Sequence, residues 1–225
     1  MILVQKDFQD RVGEIEDYFD FIQQIDSGKI LLTPSNHEKA EPYTAHKRNN
    51  LVRTFKASAF LLLYNLMEST VSNAVQAIYD EFANKNISFD SCRQNIRRVI
   101  LGNLKQHSPD EILPDLNHLA TDIVSKTFRK NKIVSGNVDA RKIREVADEY
   151  GFAPPSADGK ALLTVKSSRN DLAHGSKSFS EVGRDYAVQE IIDIKNKIII
   201  YLNSMLKSVS DYISQQQYLA TPGCP

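Results

Sequence analysis

The chain has 225 residues, of which 41% are hydrophobic and 25% charged, and its formal net charge is zero at pH 7. These values are close to those of soluble globular proteins, and the length is sufficient to bury a hydrophobic core. No apolar run approaches the roughly 18 residues of a membrane span, and the acidic N-terminus lacks the features of a signal peptide. Two cysteines, Cys92 and Cys224, cannot form a disulfide framework or a four-ligand zinc site, which favours a reducing, cytoplasmic location.

The charges are distributed unevenly along the chain. Residues 1–26 contain seven acidic and two basic residues, whereas residues 126–144 contain seven basic residues and one acidic residue. Such segregation can create a local positive field on a neutral molecule. The basic segment therefore fits a contact with nucleic acid, and it fits a solvated basic face equally well.

The first half of the chain predicts helices separated by one long loop. Apolar residues at steps of three and four predict an amphipathic helix over residues 4–25. Residues 33–50 contain two prolines and many polar residues, which predicts a surface loop with His37 and His46 as surface histidines. The strongest helix is predicted over residues 54–84. Beside its apolar stripe runs a polar stripe, which fits a solvated edge or the wall of a site: Asn65, Glu68, Ser72 and Gln76.

The second half also predicts helices, with several recognisable ends. A basic helix is predicted within residues 92–106, a partly helical stretch over 110–128, and a helix capped by Asn137 or Asp139 and ended by Gly151. Ser178 and Glu181 fit a capping box, and a long helix over residues 182–213 precedes a frayed tail. We predict an all-α bundle of antiparallel helices in a single domain, with an N-terminal helix and loop (1–50), a core bundle (51–213) and a flexible tail (214–225).

The sequence contains no P-loop, GxSxG, HExxH or CxxC motif, so the best candidate for chemistry is "RNDLAH", from Arg169 to His174. Histidine can act as a general acid or base near neutral pH, and arginine can bind phosphate in a bidentate way. With RNA as substrate, the ribose 2′-OH can serve as the nucleophile, so such a reaction needs no metal.

The spacing of this pair raises a geometric question. Five residues of an ideal helix turn through about 500°, which leaves the two side chains about 140° apart. They could converge if the last turn loosens near Gly175, or if a second copy of the chain completes the site. The simpler alternative is that Arg169 pairs with an acid and His174 caps the helix.

The segment "RNDLAHG" resembles the R-x4–6-H motif of the HEPN superfamily, small all-α domains found in many RNA-cleaving toxins and defence proteins. Two further segments, "AFLLLYNLMESTVSNAVQAIYDEF" and "SGNVDARKIREVADEYGF", occur in the matching order. Together the three resemble the stand-alone bacterial MAE-type HEPN-like nucleases over about residues 51–213.

The resemblance implies a HEPN-like bundle that forms a homodimer with two facing motifs, and a metal-independent endoribonuclease without a cofactor. In that reading Arg169 binds and polarises the phosphate, His174 is the acid or base, and Asn170 orients the site. Three residues are expected to supply supporting polar groups: Glu68, Asn65 and Asp171. Six basic residues are expected to steer RNA toward the cleft: Lys126, Arg129, Lys130, Arg141, Lys142 and Arg144.

The expected biological role is that of a toxin or antiviral defence effector, with RNA as substrate and an antitoxin protein as a further partner. Two other functions remain open at this point. One is a non-catalytic helical module that binds RNA, a nucleotide or a partner protein, and the other is a purely structural dimerisation domain.

Overall fold

The computed structural model describes residues 1–33, 43–105, 108, 123–124, 127–128, 130, 133 and 136–220. Within these ranges the chain forms α-helices and no strand beyond an isolated bridge between Cys92 and Leu219, so the all-α fold class is confirmed. The helices are α1 (Ile2–Asp26), α2 (Ala45–Asn84), α3 (Gln94–Leu104), α4 (Ala140–Tyr150), α5 (Lys160–Ala173), α6 (Phe179–Arg184) and α7 (Val188–Ser214). None of these helices has both the length and the apolar character needed to cross a membrane.

The chain packs as two compact units that alternate along the sequence. The first, called the motif unit below, comprises Lys6–Met67 and Asp158–Ile200. The second, called the central unit, comprises Met1–Gln5, Glu68–Ala157 and Tyr201–Pro225. Because the boundaries fall within α1, α2 and α7, each of these helices contributes residues to both units. The single domain remains a prediction.

Helix α1 is packed into the motif unit along one face, which confirms the predicted amphipathic helix. The hydroxyl of Tyr18 donates to the carbonyl of Phe55 on α2 at 2.9 Å, and the buried Lys195 of α7 forms an ion pair with Glu16. The buried apolar face of α1 consists of Phe8, Ile15, Phe19, Ile22 and Ile25. Apolar burial and these two polar contacts therefore hold α1 against α2 and α7.

Helix α2 begins at Ala45, so the predicted surface loop over residues 33–50 is wrong for its last six residues. The physical reason is an N-terminal cap. The side-chain oxygen of Thr44 accepts from the backbone N–H of Lys47 at 3.4 Å, and its carbonyl accepts from Arg48 at 2.9 Å. His46 is exposed in this first turn, as a surface histidine should be. His37 lies outside the described residues.

The central unit is built around buried tyrosines. Tyr79 stacks on Phe128 with ring centroids 4.0 Å apart, and the Tyr212 hydroxyl donates to the carbonyl of Tyr150 at 2.7 Å. Burial raises the pKa of Tyr79 to about 12, so its phenol stays neutral and acts as a hydrogen-bonding group in the core. Most of the predicted helical stretch 110–128 lies outside the described residues.

The end of the chain is packed as far as Ala220, so the expected flexible tail over residues 214–225 is wrong for residues 214–220, the first of which still belongs to α7. Tyr218 is completely buried, and its carbonyl accepts from the backbone N–H of Arg93 at 2.9 Å. The N–H of Ala220 donates to the carbonyl of Ser91, also at 2.9 Å. A buried aromatic ring and these backbone hydrogen bonds hold the segment in place. The polar composition of the segment alone does not indicate this packing.

Three predicted helix ends are confirmed, and one predicted helix is wrong. The Asp139 side chain accepts from the N–H of Lys142 at the start of α4, and Gly151 ends α4 in the left-handed conformation, with φ of 84°. Ser178 and Glu181 form the complete capping box of α6. The single helix predicted over 182–213 is instead two helices, α6 and α7, because the chain turns after Arg184 and restarts at Val188.

Candidate active site

The R-x4-H segment lies in the last turn of α5, within the motif unit. Helix α5 buries Ala161, Leu162, Val165 and Ser168, which leaves the following residues at the rim of the core. It ends in a Schellman motif: Gly175 has φ of 68°, and the N–H of Ser176 donates to the carbonyl of Asp171 at 2.9 Å. Glycine is favoured here because other residues pay a steric cost at positive φ.

The last turn of α5 does not loosen before the histidine. His174 has φ of −93° and ψ of 0°, and its N–H donates to the carbonyl of Asn170 at 3.0 Å, the regular helical pattern. The left-handed residue follows the histidine and cannot redirect its side chain toward Arg169. The structure therefore does not show the expected loosening before His174, and an ideal helix with this spacing would separate the two side chains by about 140°.

Arg169 is held by an aromatic ring and an amide. Its Cζ lies 4.6 Å from the ring centroid of Tyr64 on α2, and its Nη1 donates to Oδ1 of Asn170 at 3.1 Å. Such a cation–π contact is worth about 0.5–2 kcal/mol, and more when water is excluded. Among the described residues no carboxylate lies within 4.0 Å of the guanidinium. The half-buried charge is thus positioned without being neutralised, contrary to the simpler alternative in which it pairs with an acid.

His174 presents its side chain to solvent. The residue is exposed, and its imidazole makes no hydrogen bond or ion pair with any part of the chain that the structure describes. Its neighbour Asp171 instead lies 4.0 Å from the ammonium of Lys177, which also contacts Asp185 at 3.1 Å. The hydrogen bond to Asp185 raises the pKa of Lys177. Asp171 and Lys177 therefore belong to the turn that follows the motif, while the imidazole remains available to a ligand.

Comparison with known proteins identifies a family for this chain. A family model described as HEPN_MAE_28990-like HEPN matches residues 3–218. The chain belongs to this family. The match confirms the resemblance found in the three segments and extends it to α1. HEPN proteins are generally associated with RNase activity, RNA-related roles and dimeric behaviour. Searches of curated proteins and of solved structures returned no match to the chain.

Two of the predicted supporting residues of this HEPN protein, Asn65 and Glu68, lie on α2. Asn65 is exposed on α2, directly after the Tyr64 that Arg169 covers. Glu68 belongs to the central unit, where its Oε1 accepts from the backbone N–H of Gly136 at 3.1 Å. Glu68 therefore fixes the loop before α4. Within the described ranges, no group of three or more His, Cys, Asp or Glu side chains is arranged to hold a metal ion.

The predicted basic surface is partly neutralised. Arg141 and Lys142 lie 3.4 and 3.5 Å from the carboxylate of Glu145, and the ammonium of Lys130 donates to Oδ1 of Asn73 at 2.5 Å. Arg144 is exposed. Two of the six predicted residues, Lys126 and Arg129, lie outside the described residues. The role of this surface in RNA steering stays a prediction.

Sequence reasoning missed Tyr64. Its ring is buried and is in contact with Arg169, yet in the sequence it is one more apolar position of α2. No spacing rule links residues so far apart in the chain. A pair of this kind becomes visible only when α2 and α5 are packed together.

Proposed function

We propose that this HEPN protein is a metal-independent endoribonuclease of the toxin or antiviral defence class, with a site shared between two copies of the chain. The observation that carries the proposal is the last turn of α5. There, a positioned guanidinium that has no carboxylate partner among the described residues and an exposed imidazole lie five residues apart. Arginine and histidine are the two groups that phosphodiester cleavage of RNA needs, one for the phosphate and one for the proton.

The proposed reaction uses the substrate's own nucleophile. The ribose 2′-OH attacks the adjacent phosphorus, its proton passes to the imidazole of His174, and the P–O5′ bond breaks. A protonated imidazole supplies the proton that the leaving 5′-oxygen takes up. Arg169 donates hydrogen bonds to the phosphate oxygens, on which negative charge grows in the transition state. The products are a 2′,3′-cyclic phosphate and a 5′-hydroxyl end.

Two features support a site made by two chains. On an ideal helix the positions of Arg169 and His174 are about 140° apart, and the last turn of α5 keeps a helical hydrogen bond at His174, which favours a site completed by a second chain. The motif unit also exposes large apolar side chains next to the motif: Leu163 on α5 is 55% exposed, and Phe179 at the start of α6 is 38% exposed. Exposed apolar residues of this kind commonly mark protein–protein contacts. A two-fold dimer would bring the histidine of one chain to the arginine of its partner.

Cleavage of RNA in the presence of EDTA tests the proposed activity. We expect the purified full-length protein to cut single-stranded RNA in excess EDTA and to leave 2′,3′-cyclic phosphate ends, because neither the nucleophile nor the charge stabilisation comes from a metal. End-group analysis by mass spectrometry of the fragments checks this outcome. Cleavage that disappears on chelation, or fragments with 5′-phosphate ends, would contradict the proposal.

Mixing two inactive variants tests the shared site. Arg169→Ala and His174→Ala proteins are each expected to be inactive, whereas unfolding and refolding them together should restore about a quarter of the parent activity, since about half of the dimers are mixed and each holds one complete pair. The same treatment of each variant alone is the control. A mixture as inactive as its components would argue for a site within one chain.

A further inference from the structure

Helix α3 of the central unit concentrates positive charge. Four basic residues lie in or beside it, and the segment 93–105 contains no Asp or Glu. Within the described part of the chain, none of the four has a carboxylate within 4.0 Å. They are Arg93, Arg97, Arg98 and Lys105. The contrast with α4 is direct, because Arg141 and Lys142 there share the carboxylate of Glu145.

Two of these cations are fixed by neutral groups. The Nε of Arg93 donates to the carbonyl of Leu219 at 3.2 Å, and Nη2 of Arg97 donates to the carbonyl of Asp90 at 2.5 Å. A carbonyl orients a guanidinium but does not cancel its charge. Arg93 and Arg97 therefore contribute a fixed positive potential at the start of α3, and they also tie the helix to the segments around it.

The other two cations face solvent on one side of the helix. Arg98 and Lys105 are exposed, and their seven-residue separation places them within about 20° of each other and about 10 Å apart along the axis. Leu101 lies between them and is 44% exposed. Neither cationic side chain makes a hydrogen bond or ion pair with a described residue. Both can reach a ligand without giving up an internal contact.

We propose that this α3 face, formed by Arg98, Leu101 and Lys105, binds the phosphate backbone of the RNA substrate. The inference rests on the proposed ribonuclease function and adds a second contact surface, in the central unit. RNA fits this face better than an acidic protein does, because a strand presents a phosphate at every nucleotide. Two cations on one face can both meet phosphates without a matched partner surface. The contact is independent of base sequence and acts on binding, not on the chemical step.

A salt series with a double variant tests the α3 face. In the full-length His174→Ala background, which should bind RNA without cutting it, Arg98→Gln with Lys105→Gln is expected to bind single-stranded RNA roughly 25-fold more weakly at 0.1 M salt. The slope of log K against log salt should fall by about 1.4, since each phosphate contact on a single strand contributes about 0.7. Filter binding or fluorescence anisotropy measures both quantities.

The matched control removes the same charge elsewhere. Lys6→Gln with Lys197→Gln changes two exposed helix cations, and its affinity and slope should equal those of the His174→Ala background. Parent-like affinity and slope in the α3 variant, or an equal loss in the control, would overturn the α3 proposal. In the cleaving protein the α3 variant should raise KM and leave kcat unchanged. RNA binding without any cleavage would contradict the proposed nuclease and leave the α3 face standing.

Discussion

Replacing His174 with alanine is expected to lower the rate of RNA cleavage by roughly 10²–10⁴-fold, the usual contribution of a general acid or base. Replacing Arg169 with alanine should lower it by roughly 10²–10³-fold, as expected for the loss of a group that stabilises developing negative charge. Initial rates on a labelled RNA measure both effects. Expression in cells gives a second readout, because the parent protein should arrest growth and break RNA while His174→Ala should not.

Matched variants separate chemistry from folding in this test. His174 is exposed, so its replacement should change stability by less than about 0.5 kcal/mol. His46, an exposed histidine at the start of α2, is the control, and His46→Ala should cleave at the parent rate. Arg169→Lys keeps the charge but loses the planar fork, so it should recover only part of the activity. Folded His174→Ala or Arg169→Ala protein that cleaves at the parent rate would end the ribonuclease proposal.

Replacing Gly183 with alanine should destabilise the motif unit by about 3 kcal/mol or more, at the upper end of overpacking effects. A Cβ at this position of α6 would lie 1.9 Å from the carbonyl oxygen of Arg53 and 2.5 Å from its carbon. Both are backbone atoms of α2, so no side-chain rotation can relieve the clash. Because α6 directly follows the turn after the motif, cleavage should also fall. Thermal unfolding followed by circular dichroism measures the loss of stability.

Gly102 provides the control for this substitution. It lies in α3 with nothing within 4 Å of the position that a Cβ would occupy. Alanine has a higher helix propensity than glycine, so Gly102→Ala should raise stability by up to about 1 kcal/mol. If Gly183→Ala unfolds at the same temperature as the parent, the close packing of α6 on α2 described above is wrong.

Features set by neighbouring residues could be predicted from the sequence. The capping box of Ser178 and Glu181, the cap at Asp139 and the left-handed Gly151 each depend on side chains within four positions, and all three are confirmed. The amphipathic α1 followed from its apolar period. The family could also be recognised, because three segments occur in the right order, and the match over residues 3–218 confirms it.

One local helix break and the features set by distant residues were not predicted. The division between α6 and α7 was missed because apolar residues continue at helical spacing through it and no glycine or proline marks the turn at 185–187. Instead, the N–H of Ala187 donates to the Glu190 carboxylate at 2.6 Å. Alanine is not a typical N-cap residue, so the sequence does not indicate a helix start here. The burial of Tyr218 and the contact of Tyr64 with Arg169 arise from tertiary packing, which the local sequence pattern does not indicate. The assignment of Arg169 and His174 as the reacting pair stays a prediction.

The alternation of the two units along the chain sets an order of events during synthesis. After the first five residues, which belong to the central unit, residues 6–67 of the motif unit leave the ribosome. Residues 68–157 of the central unit follow, and residues 158–200 with the motif come later. Tyr64 is therefore synthesised long before Arg169, which covers its ring. Their contact must bring together two residues that are separated by a long segment of the chain. A nascent chain cannot assemble this pair until most of the molecule has been translated. The motif unit is thus completed late, after the residues of the central unit's main segment have already emerged.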